Sequence, residues 1–291
     1  MIYIVFVIIA TGGVFLTFRA FETWGVDRFT AIVVNYGIAS TLGWTLAGGV
    51  PMMKNAYEMP WFLTTAVMGA LFLYLFNLMA KCTAELGVAV SSIASKLSLV
   101  IPVVVFLIID PNDIFTGLKA LALALALAAI VLSSLGNDSK HISHSKWAFI
   151  LPIVIFIGSG AIDLVFAWYS GPEFIPSTEY AMAFTAIPFT VAFVLGAGIW
   201  LFQNGFYKIP AKKDLLAGVL LGVVNFGSLF FLLGAYGIPG IDKSVIIPVV
   251  NIGVVLFSTL SAVVIYKDRP SKVAWTGLAI GCLSIIILMI K

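Results

Sequence analysis

Charge is scarce in this sequence: 10% of its 291 residues are Asp, Glu, Lys or Arg, against about 25% in an ordinary soluble domain. Histidine is rarer still. His141 and His144 are the only two, and both fall, with Asp138, in a polar stretch that reads as a surface loop. No apolar segment therefore holds an imidazole to act as a base, which argues against an intramembrane nucleophile at Ser159. An aspartyl protease needs two deep carboxylates, and Asp163 is the single candidate. Cys82 and Cys282 are the only cysteines, and two isolated thiols make neither a disulfide framework nor a metal motif. No Walker sequence is present, which argues against an ATP-driven pump. The basic residues are scattered and the net charge is +3, so no nucleic-acid footprint appears. No enzyme, cofactor or metal is expected.

What remains is apolar. Hydrophobic residues make up 62% of the chain and the mean hydropathy is +1.13. One soluble core cannot hide that much apolar surface, so lipid is the expected solvent. The N-terminus lacks the basic opening of a cleavable signal peptide, and its first apolar run leads into further membrane segments. The apolar runs give ten spans of roughly bilayer length. They lie near Ile2–Phe18, Phe29–Val50, Trp61–Ala80, Val88–Ile109, Ile114–Leu135, Trp147–Tyr169, Tyr180–Phe202, Leu215–Tyr236, Val245–Tyr266 and Val273–Ile290. Short connections rich in turn formers join them, among them PMMKNAYEMP and YGIPGID. The expected fold is an all-α polytopic membrane protein.

The one long polar stretch, Gly136–Lys146, sits at the midpoint. The halves on either side look alike. Phe115–Ala120 reads FTGLKA, and Trp275–Ile280, 160 positions later, reads WTGLAI. Each opens the last span of its half. Residues 1–136 and 147–291 thus read as two five-helix repeats with 137–146 as linker. An odd number of spans per half inserts the second copy upside down, a plan common in secondary transporters.

Polar groups inside spans are the candidates for function, because lipid makes each one costly unless it is satisfied. Lys96 stands first, in AVSSIASKLSLVIPVVVFLII, where an intramembrane charge costs about 3 kcal/mol on insertion scales. Ser92 and Ser95 share its helix face. Asp163 could pair with it, take a proton or bind a cation. Asn251 follows, on the repeat partner of the Lys96 helix, then Asn35, Asn77 and Asn225, any of which could simply bond a neighbouring helix. Glu85 and Glu179 are read as helix-start residues. Gly218–Gly222 and Gly277–Gly281 have close-packing GxxxG spacing, within the bundle or between subunits. The tryptophans fall mostly near span ends, as an interfacial belt does. Arg28, Lys212, Lys213, Lys267 and Lys272 belong to the odd-numbered junctions, and the positive-inside rule would put those in the cytoplasm, with both termini outside.

Two five-span halves, each with a proline in the fourth span (Pro102, Pro248) and a T-G-L stretch in the fifth, resemble the drug/metabolite transporter superfamily, in particular its ten-span EamA-like members. The resemblance covers essentially the whole chain. Where the family commonly has Gly-Glu after the fourth span, this chain has Asp110-Pro111-Asn112-Asp113 and Lys267-Asp268-Arg269. The resemblance implies a secondary carrier of small metabolites in a bacterial inner membrane. It also implies alternating access around a cavity between the halves, and termini inside, against the charge rule. It leaves open a coupling proton or ion and a homodimer. A non-transporting membrane scaffold is the alternative from another class.

Overall fold

The computed structural model describes residues 1–86, 94–110, 115–135, 150–205, 209–267 and 271–289. Among them the regular secondary structure is helix alone, in eleven elements and a further short helical piece at 94–97. These are α1 (Ile2–Trp24), α2 (Arg28–Leu46), α3 (Val50–Tyr57), α4 (Phe62–Leu86), α5 (Val100–Ile109) and α6 (Gly117–Leu135). After the midpoint come α7 (Ile150–Trp168), α8 (Thr178–Asn204), α9 (Lys212–Tyr236), α10 (Lys243–Tyr266) and α11 (Lys272–Met289). Six of them are long and apolar enough to cross a membrane: α2, α4, α7, α8, α9 and α10. Large apolar side chains such as Ile108, Leu216 and Val264 stay exposed, which suits lipid and not water. The expected count of ten helices differs from the eleven seen.

The additional element is α3, inside a stretch expected to be a simple connection. Gly48 and Gly49 take positive φ values of 98° and 72°, which a residue with a Cβ rarely adopts. They turn the chain, and Pro51 in the first turn starts the new helix. Met52 and Ala56, one turn apart, are its buried face. A second correction concerns Glu85. It lies in the last turn of α4 and not at a helix start, because the helix-forming stretch TAEL prolongs α4.

The chain divides into two compact units, residues 1–74 with 168–237 and residues 75–167 with 238–291. In unit 1, α9 packs on α1 and α2, and α8 packs on α2 and α3. The α2–α9 crossing explains the Gly218–Gly222 spacing. A Cβ on Gly218 would meet Val34 Cβ at 2.5 Å, and one on Gly222 would meet Ile38 Cβ at 2.7 Å. These glycines therefore serve a contact inside the unit. Trp61 belongs to this core and not to an outer belt: it is fully buried, its indole N–H bonds the Phe174 carbonyl at 2.8 Å, and its ring meets Phe184 edge-on. Trp24, Trp168 and Trp275 are exposed, as belt residues would be. In unit 2, α11 packs on α6 and α10, and α10 also packs on α5 and α6. The buried Ser284 hydroxyl ties α11 to the Ala122 carbonyl of α6 at 2.7 Å.

Candidate functional site

The segment that carries Lys96 is a broken helix. Residues 94–97 are helical, Ser98 and Leu99 form a turn, and α5 continues from Val100. Pro102 is the cause. It has no N–H to give the Ser98 carbonyl, and its ring crowds that carbonyl. The backbone tightens instead, with Ile101 N–H bonding Ser98 O at 3.0 Å and Leu99 N–H reaching Lys96 O at 3.4 Å. The buried Ser98 hydroxyl turns back to the Ser95 carbonyl at 2.5 Å. Lys96 thus sits just before a break in an apolar helix.

Within unit 2 the half-buried Lys96 ammonium donates to Asn251 Oδ1 of α10 at 3.4 Å. The Asn251 amide nitrogen donates to the Ile247 carbonyl one turn back, at 3.1 Å, which leaves the amide oxygen turned to the lysine. The charge of Asp163 on α7 acts on Lys96. Four residues before Asp163, on the same helix face, the Ser159 hydroxyl meets the Ser95 hydroxyl at 3.5 Å. One cation, one amide and two hydroxyls therefore come together from three separate stretches of chain, with the Asp163 carboxylate one turn from Ser159 on the same helix face.

The other candidates lie elsewhere. In unit 1, Asn225 Nδ2 donates to Asn35 Oδ1 at 3.1 Å, and Asn35 Nδ2 donates to Ile32 O at 3.3 Å. This amide pair joins α2 to α9. Asn77, on α4, is exposed and has an interaction partner. Ser92 lies outside the described residues, as do His141 and His144.

Several polar groups escaped the sequence reading. In unit 1 the Thr190 hydroxyl meets Ser40 at 2.7 Å and accepts the Trp44 indole N–H at 2.9 Å. At one end of unit 2, Lys119 pairs with Asp242 at 3.0 Å. The neighbouring Lys243 donates to the Ala167 carbonyl at 2.6 Å and stands 5.1 Å above the Phe106 ring. Lys119, Asp242 and Lys243 all sit at or before the first turn of a helix, where the sequence offers only junction charges.

The comparisons with known proteins add the fold and little more. No protein-family model matches the chain. An uncharacterized protein of Haemophilus influenzae is 24% identical over 225 residues, covering 74% of this chain and 73% of its own. A solved crystal structure is similar over 99% of this chain and 95% of its own, with a TM-score of 0.68 and 16% identity. That likeness is one of fold.

Among the described residues no group of three His, Cys, Asp or Glu side chains that could hold a metal ion occurs. An ammonium beside an amide and hydroxyls can hold an anionic group, and the Asp163 carboxylate adds a place for a cationic one.

Proposed function

We propose that this protein is a secondary active transporter of a small organic metabolite, working by alternating access, with Lys96 holding an anionic group of the substrate. The observation that carries the reading is the Lys96–Asn251 contact, which keeps a charge inside an apolar helical unit at a cost that function usually explains. The helix break at Ser98 supports it, since discontinuous helices form the sites of many transporters.

The same reading takes the chain as ten crossings in two inverted repeats, on the plan of the drug/metabolite transporter superfamily, in a bacterial inner membrane. Besides the six long apolar helices, four shorter apolar stretches of 10–17 residues, Ile2–Phe18, Ala94–Ile109, Gly117–Leu132 and Lys272–Leu288, support that count. Helices at matching places in the two halves pack on each other: α2 on α8, α5 on α10, α6 on α11. Two related copies facing across an axis would pack in this way. Gly281 of the GxxxG pair lies at the α6–α11 contact, where a Cβ would meet Ala129 at 3.4 Å, and it also faces Ile252 of α10 at 2.8 Å.

A membrane scaffold is the second reading, favoured by the fact that Lys96 already has Asn251 and the charge of Asp163 for company. A thermal-shift screen of the purified protein against a metabolite library, followed by uptake of radiolabelled hits into proteoliposomes, separates the two. A transporter gives hits that are taken up. A scaffold gives no uptake of any compound tested, and that result would falsify the proposal.

A further inference from the structure

Lys96 is the inner end of a charged track that runs to one end of unit 2. On α7, Ser159, Asp163 and Ala167 are spaced four apart and share a helix face. Ser159 meets Ser95, Asp163 acts on Lys96, and the Ala167 carbonyl holds the Lys243 ammonium. On α10, Lys243 and Asn251 are separated by the same eight residues, about 12 Å of helix at about 1.5 Å per residue. The Lys243–Ala167 contact joins α10 to α7 at one end, and the Ser159–Ser95 and Lys96–Asn251 contacts join the two helices to the Lys96 segment at the other. Ser159 and Asn251 mark its inner end, and Ala167 and Lys243 its rim.

At the rim Lys243 lies over Phe106, and Lys119 bonds Asp242 with side chains 11% and 41% exposed. Asp110, the C-cap of α5, lies one turn beyond Phe106. Lys119, Asp242 and Lys243 thus gather at the rim, and Asp163 lies one turn of α7 inward from Ala167. A plain helix-end ion pair needs neither the second lysine nor the carboxylate one turn below it. Each ammonium instead has a resident partner that an incoming anion can replace: Asp242 at Lys119, the Ala167 carbonyl at Lys243, Asn251 at Lys96.

Resting on the transporter reading, we propose that Lys119 and Lys243 form a rim subsite for the anionic group that Lys96 later holds. Asp242 competes with that group for Lys119, and the α7–α10 track carries the group inward. The subsite selects carboxylates, sulfonates or phosphates on small molecules.

The test needs no known substrate. Cys82→Ala and Cys282→Ala remove the native thiols, and Ser95→Cys puts one at the inner end of the track. The protein, in lipid nanodiscs with both ends open to solution, is treated with an anionic sulfonate-bearing methanethiosulfonate or with its cationic trimethylammonium counterpart. Neutralising the rim with Lys119→Gln and Lys243→Gln is expected to slow anionic labelling about tenfold, the size of an electrostatic steering effect, without slowing the cationic reagent. Asp242→Asn is expected to speed the anionic reagent, an opposite sign that a misfolded chain, open to both reagents alike, cannot produce. If the introduced thiol labels but the rim changes leave the anion-to-cation ratio as it was, the rim subsite is overturned while the transporter reading stands. If neither reagent reaches that thiol, the track itself is overturned. Failure of the transporter reading shows separately, as absence of metabolite uptake in the native protein.

Discussion

The two units satisfy the polar groups within their spans by different means. At helix crossings unit 1 pairs neutral groups, Asn225 with Asn35, and Thr190 with Ser40 and Trp44. Another such pair joins the Trp200 indole to the Thr30 hydroxyl at 2.8 Å. Its buried carboxylate, Asp214, lies at a helix start, where it accepts the Asp27 N–H at 2.9 Å. Unit 2 uses ions, with Lys96 and Asp163 inside and Lys119, Asp242 and Lys243 at its end. In lipid a neutral hydrogen bond between helices contributes about 0.6 kcal/mol on average and suits a structural role. A buried ion costs several kcal/mol before its partners offset any of it, and apolar side chains would hold the helices together at less expense. On the proposed function, the groups of unit 1 serve packing and those of unit 2 serve the ligand.

Substitutions in each unit can break or sharpen that contrast. The largest effect is expected from Lys96→Met, which removes the ammonium and keeps the stem. If a charge-assisted contact of about 3 kcal/mol is lost, uptake falls about a hundredfold, while the thermal midpoint moves little. Gly218→Leu in unit 1 should do the reverse. Its Cβ alone would come within 2.5 Å of Val34, and overpacking of about 1–3 kcal/mol should show as a lower unfolding midpoint.

A smaller loss is expected from Asn225→Ala, about 1 kcal/mol for a lost interhelical bond, read as a modest drop in thermal midpoint with uptake retained. If Asn225→Ala stopped uptake without lowering stability, unit 1 would also hold a ligand group. The smallest stability change is expected for Asp242→Asn. A partly exposed ion pair contributes about 0–1 kcal/mol, so its thermal midpoint should differ from the native value by no more in low salt than a degree or two, and by less in high salt.

Much of this architecture is legible in the sequence because lipid enforces simple rules. Apolar runs had to be helices, and an ion within one had to find a partner. Lys96, Asp163 and Asn251 stand out on that ground, and the structure brings Lys96 to Asn251. The break beside Lys96 was also within reach, since Pro102 names Ser98 as the carbonyl it strands. The α3 helix was missed because eight residues with two buried side chains give no apolar period to detect; Gly48-Gly49 and Pro51 were its signal. The rim of unit 2 was not legible. Lys119 and Asp242 stand 123 residues apart, each reads locally as a junction charge, and nothing in either junction names the other. The Asn35–Asn225 pair spans 190 residues and was hidden for the same reason.

The most direct test of the contrast is uptake of one substrate, identified by thermal shift, into liposomes bearing equal amounts of folded native protein, Lys96→Met or Asn225→Ala. Ligand chemistry in unit 2 with packing in unit 1 predicts that Lys96→Met transports at background while Asn225→Ala stays near the native rate. Native-rate transport by Lys96→Met would contradict it.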